Sequence, residues 1–195
     1  MIRDFLDQNV DKKFSNMTQQ VVTKGSAPAM SMTVDAATNR LTGTGTTYDA
    51  AGNLTSDSQR SYSYDVIGRL SGTAGETYLY GARNERVLIN KTNGTRELNV
   101  YGVDGLLYQI WTWNGTAWSN TASKERIYFG GRLIMIGGEK VVTDRLGSVV
   151  RRGTTNIAYF PYGQERTSTA NDTAKFGTYT RDARSGIDYA MNRYY

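Results

Sequence analysis

The side chains of this sequence that could carry out acid–base or nucleophilic chemistry are carboxylates, tyrosines and lysines, because the 195 residues include no histidine and no cysteine. This excludes Ser-His-Asp and Cys-His catalysis, thiol redox chemistry and the usual zinc and copper sites. No pair of carboxylates is marked out by its spacing, and the Asp-x-x-Gly turns lack the alternating oxygen ligands of a calcium loop. We therefore expect a protein that is not an enzyme and that uses no cofactor or metal.

The three tryptophans are candidates for binding chemistry, the stacking of sugars or bases on exposed aromatic rings. Taken as a two-residue hairpin turn, Asn114-Gly115 pairs Trp113 with Thr116 and Trp111 with Trp118, which places all three rings on one face. Such a cluster either packs in a core or forms an exposed platform. We favour core packing and keep the platform as the alternative.

Charge gives little support to nucleic acid as a partner. The sequence carries 23 Lys and Arg against 18 Asp and Glu, a net charge of +5. The basic residues are spread along the chain, so no patch for phosphates is indicated. No apolar run approaches the ~18 residues of a membrane span, and the start lacks the apolar stretch of a signal peptide. The sequence predicts a soluble chain without a membrane span or an export signal of its own.

The elements that must position these residues are organised by a repeat. YDAAGNL (48–54) is echoed by YDVIGRL (64–70) and more loosely by YGARNERV (80–87), so that the tyrosines step by sixteen residues. In the first two units the Asp can bond the backbone ahead of it, and the Gly accepts the left-handed conformation of a type I turn followed by a bulge. A unit this short becomes stable by stacking on its neighbours, so each period predicts one β-hairpin. The residues assigned to this repeat motif are Tyr48, Asp49, Gly52, Tyr64, Asp65, Gly68 and Tyr80.

Two further hairpins follow from glycine turns. Taking Asn93-Gly94 as a two-residue turn predicts three pairs: Lys91 with Arg96, Ile89 with Leu98, and Val87 with Val100. Taking Gly137-Gly138 in the same way predicts two more: Ile136 with Glu139, and Ile134 with Val141. In the second hairpin apolar residues occupy both faces, which predicts a strand pair covered on both sides.

Composition agrees with an all-β fold, because 21 glycines, 14 tyrosines and only 2 prolines suit many short strands joined by turns. Turn signals continue from Asp35 to Tyr195 without a linker, which predicts one continuous sheet. The first residues are ambiguous. Leu6, Val10, Phe14, Met17 and Val21 have helical spacing, yet NMTQQVVT is rich in strand formers, and periodicity leaves the choice open.

The repeats, together with a series of C-terminal motifs, resemble the RHS or YD-repeat family. The series comprises DRLGSVVR (144–151), YFPYGQE (159–165), TRD (180–182) and SGIDYAMNRYY (185–195), and it resembles the RHS-associated core. On that comparison residues 1–34 lead into the repeats as strand, 35–142 are YD-type hairpins and 143–195 form the core-like end. The residues of this core motif are Asp144, Gly147, Tyr162, Gly163, Arg181, Asp182, Gly186, Asp188, Tyr189, Arg193, Tyr194 and Tyr195.

The resemblance implies a mechanical function. Family members wind a ribbon of stacked antiparallel β-hairpins into a hollow shell, which in polymorphic toxins encloses a C-terminal toxic domain, and the repeat tyrosines would stack as ladders. It implies a non-catalytic scaffold of a bacterial protein that is secreted or at the cell surface. Its partners would be the rest of the shell, or copies of itself, and a toxin cargo domain. The alternative is an extracellular adhesive or carbohydrate-binding YD-repeat protein.

Two departures from the family shape the expectations. The family's self-cleavage aspartates lie beyond the RYY motif, where this sequence ends, so Asp182 and Asp188 are predicted to be structural carboxylates bonded to Arg181, Arg184 and Arg193. The chain is also too short to close a shell. It predicts an open arc whose edge strands pair with missing shell neighbours or with copies of the same chain, which closes the wall by oligomerisation.

Overall fold

The computed structural model describes residues 5–10, 17–191 and 193–195, and the architecture of this part is nearly all β. Its strands are β1 Phe5–Val10, β2 Met17–Lys24, β3 Met30–Ser31, β4 Thr46–Tyr48, β5 Leu54–Asp57, β6 Tyr62–Tyr64, β7 Leu70–Thr73, β8 Glu76–Tyr80, β9 Arg86–Asn90, β10 Arg96–Tyr101, β11 Leu107–Trp113, β12 Lys124–Phe129, β13 Arg132–Ile136, β14 Glu139–Thr143, β15 Val149–Arg152, β16 Thr155–Asn156, β17 Thr173–Ala174, β18 Thr180–Arg181 and β19 Asp188–Tyr189. A short 3-10 turn lies at Phe176–Thr178. The chain divides into two compact units between Ser61 and Tyr62.

The first unit contains an antiparallel sheet of β1, β2 and β3 and a separate hairpin of β4 and β5. The ambiguous N-terminal segment is therefore strand where it is described, as the resemblance implied, and not helix. Phe14, one of the residues with helical spacing, lies outside the described residues.

The second unit is organised around an open, eleven-stranded antiparallel meander in which β6 to β16 follow one another in chain order. A small sheet of β17, β18 and β19 accompanies it. The expected single continuous sheet from Asp35 onward is wrong, because the chain bends sharply at Asp57–Arg60. Asp57 Oδ1 accepts the N–H groups of Gln59 and Arg60, and Ser58 has a φ of 71°. Pairing across this bend is an isolated bridge between Ser56 and Ser61.

One turn geometry recurs along the described chain, and it is the one that the Asp-x-x-Gly pattern predicts. In the first case the Asp49 N–H donates to the Asn53 carbonyl (3.0 Å) and the Gly52 N–H to the Asp49 carbonyl (3.1 Å). Turns with this pair of hydrogen bonds begin at Asp49, Asp65, Gly81, Lys91, Gly102, Asp144 and Phe160. The fourth residue of each has a positive φ and is glycine except at Asn84, a residue type that tolerates this conformation.

The same geometry corrects the register predicted around Asn93-Gly94. A two-residue hairpin turn needs a positive φ at its first position, and in type I′ at both, but in this pair the positive φ belongs to Gly94 and not to Asn93. The longer turn shifts the pairing by one residue, so that Ile89 lies opposite Glu97 and not opposite Leu98. Lys91 therefore does not face Arg96, and its ammonium pairs with Glu97 at 3.1 Å.

At Gly137-Gly138 the predicted register is confirmed, since Ile136 pairs with Glu139 and both glycines have a positive φ. The prediction that this strand pair is covered on both sides is wrong. Leu133, Ile136 and Val141 are buried, whereas Ile134 and Val142 are exposed. The covered face packs against residues from beyond β15, among them Ile157 and Ala174.

The turn geometry predicts that alanine substitutions at two of these glycines differ in how much stability they remove. A Cβ added at Gly68 (φ 82°) would meet nothing within 4 Å. Gly68→Ala should therefore lower the free energy of unfolding only by the cost of a left-handed backbone conformation for alanine, about 1–2 kcal/mol. A Cβ at Gly163 (φ 90°) would lie 2.7 Å from Phe176 Cδ1, which adds an overpacking loss of about 1–3 kcal/mol. Urea denaturation of the two variants measures both losses. Equal losses of stability in the two variants would contradict a steric constraint from Phe176 on residue 163.

Candidate functional site

The most unusual feature of the second unit is an arginine buried in the repeats and paired with a carboxylate of the C-terminal segment. Arg86 begins β9 and is 1% exposed. Its Nη1 donates to Asp182 Oδ2 at 2.7 Å and its Nη2 to Asp182 Oδ1 at 2.6 Å. We call this bidentate pair, which joins residues 96 apart in sequence, the Arg86–Asp182 clamp.

Three tyrosine rings surround the guanidinium of the clamp. The Arg86 Cζ lies 4.7 Å from the ring centre of Tyr78, 4.4 Å from that of Tyr189 and 5.8 Å from that of Tyr194. Burial raises the pKa of the Tyr78 and Tyr194 hydroxyls well above their usual value. The rings therefore stay neutral and provide cation–π contacts that help to offset the desolvation of the arginine.

The backbone N–H and carbonyl of Arg86 are both hydrogen-bonded, whereas its side-chain Nε has no partner among the described residues. Its N–H donates to the Tyr189 hydroxyl at 2.6 Å. Its carbonyl accepts the Asn99 side-chain amide at 2.8 Å and the Tyr101 hydroxyl at 3.2 Å. The start of β9 is thus held from both sides, by the next hairpin and by the C-terminal segment.

The RYY motif joins the same cluster. The Tyr80 hydroxyl donates to the Leu70 carbonyl at 2.6 Å, and the oxygens of Tyr80 and Tyr194 lie 2.5 Å apart. Because a hydroxyl has a single proton, Tyr194 is the donor to Tyr80. The Tyr194 ring also stacks on Tyr78 with 6.1 Å between centres. Tyr195 stacks on Tyr179 at the surface.

Repeat tyrosines connect neighbouring hairpins through their hydroxyls. The hydroxyl donates to the backbone carbonyl of the first residue of an earlier strand in four cases: Tyr80 to Leu70, Tyr101 to Arg86, Tyr128 to Leu107 and Tyr159 to Val149. In the first unit the Tyr48 hydroxyl donates to the carbonyl of Leu41, which forms an isolated bridge with Val34. This bond explains why a tyrosine suits the position before the turn. Ring stacking of Tyr48, Tyr64 and Tyr80 as a ladder stays a prediction.

A second ion pair ties the C-terminal segment to the repeats. Lys91 Nζ donates to Asp172 Oδ2 at 2.9 Å, and Lys124 Nζ donates to the Asp172 carbonyl at 2.7 Å. Burial raises the pKa of Asp172, but the hydrogen bonds from Lys91 and the Ala183 N–H, together with the charges of Lys91 and Lys124, outweigh it and hold the pKa below its usual value. The carboxylate is therefore ionised at neutral pH and holds residues of the C-terminal segment against β9 and β12.

Of the two carboxylates predicted to be structural, one binds an expected arginine and the other does not. Arg181 binds Asp188 through its Nε and Nη2 at 2.8 and 2.7 Å, as the predicted network required. Asp182 binds Arg86 instead of an arginine of its own segment, and Arg184 donates to the Ala74 carbonyl. Arg193 is exposed.

Sequence reasoning missed Arg86, although a signal was present. Arg86 stands six residues after Tyr80, where Leu54 and Leu70 stand six residues after their own tyrosines. A charge in a position that the repeat fills with leucine requires a buried partner.

The remaining core-motif residues have structural roles. Asp144 Oδ1 accepts the N–H groups of Leu146 and Ser148, which forms the same turn as in the repeats. Gly147, Gly163 and Gly186 adopt a positive φ. Tyr162 is exposed.

The tryptophans are placed differently from the expectation. Trp113 pairs with Trp118, not with Thr116, because the Asn114 side chain accepts the N–H groups of Thr116 and Ala117 in a longer turn, which moves the partner of Trp113 by two residues. The expected packed core is wrong, since Trp118 is 40% exposed and Trp111 and Trp113 are half-buried. The rings of Trp113 and Trp118 lie 5.7 Å apart at the surface.

Glu76 is a buried carboxyl near the clamp, and burial raises its pKa above the usual 4.5 against the opposing charge of Lys91. Because the pKa of Glu76 is raised in the folded state, its carboxyl loses the proton at a lower pH in the unfolded chain than in the folded one. Stability is therefore lost as the pH rises above 4.5, until the folded-state pKa is passed. We expect Glu76→Gln to gain stability relative to the wild type over this window and to show a constant difference below it. Urea denaturation at a series of pH values measures this; a pH-independent difference would contradict the raised pKa.

Among the described residues no group of three or more acidic side chains that could hold a metal ion occurs. No helix in this part of the chain is long and apolar enough to cross a membrane.

An open ribbon of stacked hairpins, with a C-terminal segment clamped onto one face, defines an RHS-like fold, and chains of Tc toxins share it. A Photorhabdus luminescens Tc holotoxin pore carrying a mutant TccC3 matches with a TM-score of 0.69 and 18% identity, over 97% of this chain and 11% of that chain. The crystal structure of TcdB2-TccC3 matches with a TM-score of 0.67 and 18% identity, over 97% of this chain and 12% of that chain. The crystal structure of TcdB2-TccC3-Cdc42 matches with a TM-score of 0.67, 17% identity and the same 97% coverage of this chain.

The protein thus shares its fold with about a ninth of each of these much longer chains. No protein-family model and no curated protein matches the sequence.

Proposed function

We propose that this chain is a non-catalytic wall segment of a bacterial, secreted or cell-surface RHS/YD-repeat shell that encloses a toxin cargo domain. The observation that carries the proposal is the open meander of eleven strands, whose order ends at β6 on one side and β16 on the other. The likeness to Tc toxin chains supports it. An open sheet has two edges that template strand addition, so its natural partners are the rest of the shell or copies of the same chain.

The distribution of apolar residues supports association through a second surface, distinct from the edge strands. In an antiparallel meander the turns that follow alternate strands lie at the same end of the strands. At this end of β6, β10, β12 and β14 exposed apolar residues occur in the turns or, for Phe129, at the last residue of the strand: Val66, Ile67, Val103, Phe129 and Leu146. We call these residues the apolar turn end. Val103 is 100% and Phe129 79% exposed, so these side chains add nothing to the fold of the single chain.

The bonding of the buried carboxylates supports a structural function rather than a catalytic one. Asp182 binds Arg86 and Asp188 binds Arg181. Glu165 binds Lys175, which is fully buried, and accepts the hydroxyls of Thr167 and Thr169. Each of these three carboxylates is occupied by hydrogen bonds from a cation or from hydroxyl donors, which supports a structural role for them.

Association can be tested by size-exclusion chromatography with light scattering over a range of protein concentrations. We expect the mass of the wild type to rise with concentration, and the variant Val103→Lys/Phe129→Lys to associate more weakly. Val142→Lys, at an exposed position on the sheet face, is the matched control and should associate like the wild type. A well-folded monomer at all concentrations would contradict the proposal.

A second candidate function is carbohydrate binding, which the exposure of the Trp113–Trp118 pair favours. It predicts glycan-array binding that Trp118→Ala abolishes and that Phe129→Ala leaves unchanged. No binding to any glycan, or binding that survives Trp118→Ala, would remove this candidate.

A further inference from the structure

A cavity of about 210 Å³ lies between the repeats and the C-terminal segment, and it shares Tyr101 and Tyr189 with the surroundings of the Arg86–Asp182 clamp. Its wall from the repeats includes Tyr101, Arg126 and Tyr128, and its wall from the C-terminal segment includes Thr180, Tyr189 and Met191. Tyrosine rings from both walls, among them Tyr101, Tyr128 and Tyr189, therefore offer surfaces on which a flat group could rest.

Arg126 is the notable residue of this cavity. It lies in β12 and is 4% exposed. Its Nη2 donates to Thr180 Oγ1 at 3.0 Å, whereas its Nε, which is buried, has no hydrogen-bond partner among the described residues. Arg126 is also the one charged side chain among the described residues that line the cavity.

The contrast with Arg86 shows what Arg126 lacks. Both are buried arginines whose Nε has no hydrogen-bond partner among the described residues, but Arg86 has the bidentate carboxylate of Asp182. A buried guanidinium without a counter-charge is unfavourable, and a carboxylate that accepts two of its N–H groups offsets much of this. The planar fork of arginine fits a carboxylate in this way.

The size and walls of the cavity limit what the carboxylate can be attached to. Drug-sized ligands occupy pockets of roughly 300–1,000 Å³, so about 210 Å³ suits a single ring or a side chain. The tyrosine walls favour a flat apolar body. A phosphate would bring two negative charges to one arginine and has no apolar body to use the walls.

We infer that this cavity binds a carboxylate attached to a single aromatic ring, with Arg126 as the anion-binding residue. This site goes beyond the wall function and does not depend on it. The same chemistry occurs in a free aromatic acid and at the end of a peptide chain.

Isothermal titration calorimetry on the full chain tests the inference with four probes. 3-Phenylpropanoate and a short peptide ending in phenylalanine are the two carboxylate sources, and we expect at least one of them to bind. The neutral 3-phenylpropan-1-ol and inorganic phosphate should bind at least about tenfold more weakly, because each lacks one half of the recognised group. Equal binding of either control would overturn the inference.

Two variants identify the site. Arg126→Gln should weaken carboxylate binding at least about tenfold. Met191→Trp leaves Arg126 untouched and fills the cavity from a half-exposed position, so it should also abolish binding. Thermal unfolding of each variant establishes that it is folded. Binding that survives Met191→Trp, or failure of both carboxylates to bind the wild type, would overturn the inference even if Arg126→Gln does not fold.

Discussion

Asp182→Asn is expected to lower the free energy of unfolding by about 3–5 kcal/mol, because it leaves the Arg86 guanidinium buried without its counter-charge. The effect should reach residues far from position 182 in sequence, since Arg86 belongs to the repeats. Urea denaturation followed by tryptophan fluorescence measures the loss. The double variant Arg86→Met/Asp182→Leu should recover much of it, because it removes both charges together.

An exposed ion pair provides the control. Arg152 Nε and Glu139 Oε2 lie 2.6 Å apart, the same separation as Arg86 Nη2 and Asp182 Oδ1, but the Glu139 side chain is 52% exposed. Glu139→Gln should therefore change stability by less than about 1 kcal/mol. If Asp182→Asn is no more damaging than Glu139→Gln, the Arg86–Asp182 clamp does not hold the C-terminal segment.

Tyr78→Ala is expected to lower the free energy of unfolding by about 3–5 kcal/mol. Tyr78 is 2% exposed, stacks on Tyr194 and lies over Arg86, so the truncation leaves a cavity and removes a cation–π contact. Chemical denaturation measures the loss.

Tyr78→Phe is the matched control. It keeps the ring and removes a hydroxyl that reaches Asp182 Oδ2 only at 3.5 Å, so the loss should stay below about 1 kcal/mol. A large loss from Tyr78→Phe would mean that the hydroxyl, rather than the packed ring, provides the stabilisation.

The repeated turns could be predicted from sequence because their determinants are local. Asp65 bonds the N–H groups of Ile67 and Arg69 within its own turn, and Gly68 supplies the positive φ. Asn-Gly was less informative, because the pair fits both a two-residue turn and the longer turn with a bulge. At Asn93-Gly94 the longer turn is formed, and the register prediction failed by one residue.

The clamp could not be derived from local patterns. The partners Arg86 and Asp182 are brought together only when the C-terminal segment folds back on the repeats. The core motif marked Asp182 as a residue of interest, but its own segment offered Arg181, Arg184 and Arg193 as nearer partners. The arginine in a leucine position was the one sequence signal that a distant counter-charge was needed.

The central claim, that this chain is a segment of a wall completed by its neighbours, is tested most directly by electron cryo-microscopy of the species that forms at high protein concentration. The account predicts that neighbouring copies meet at the edge strands β6 or β16, or through the apolar turn end. Copies that meet only through the exposed sheet face, or a particle that is a single chain, would contradict it.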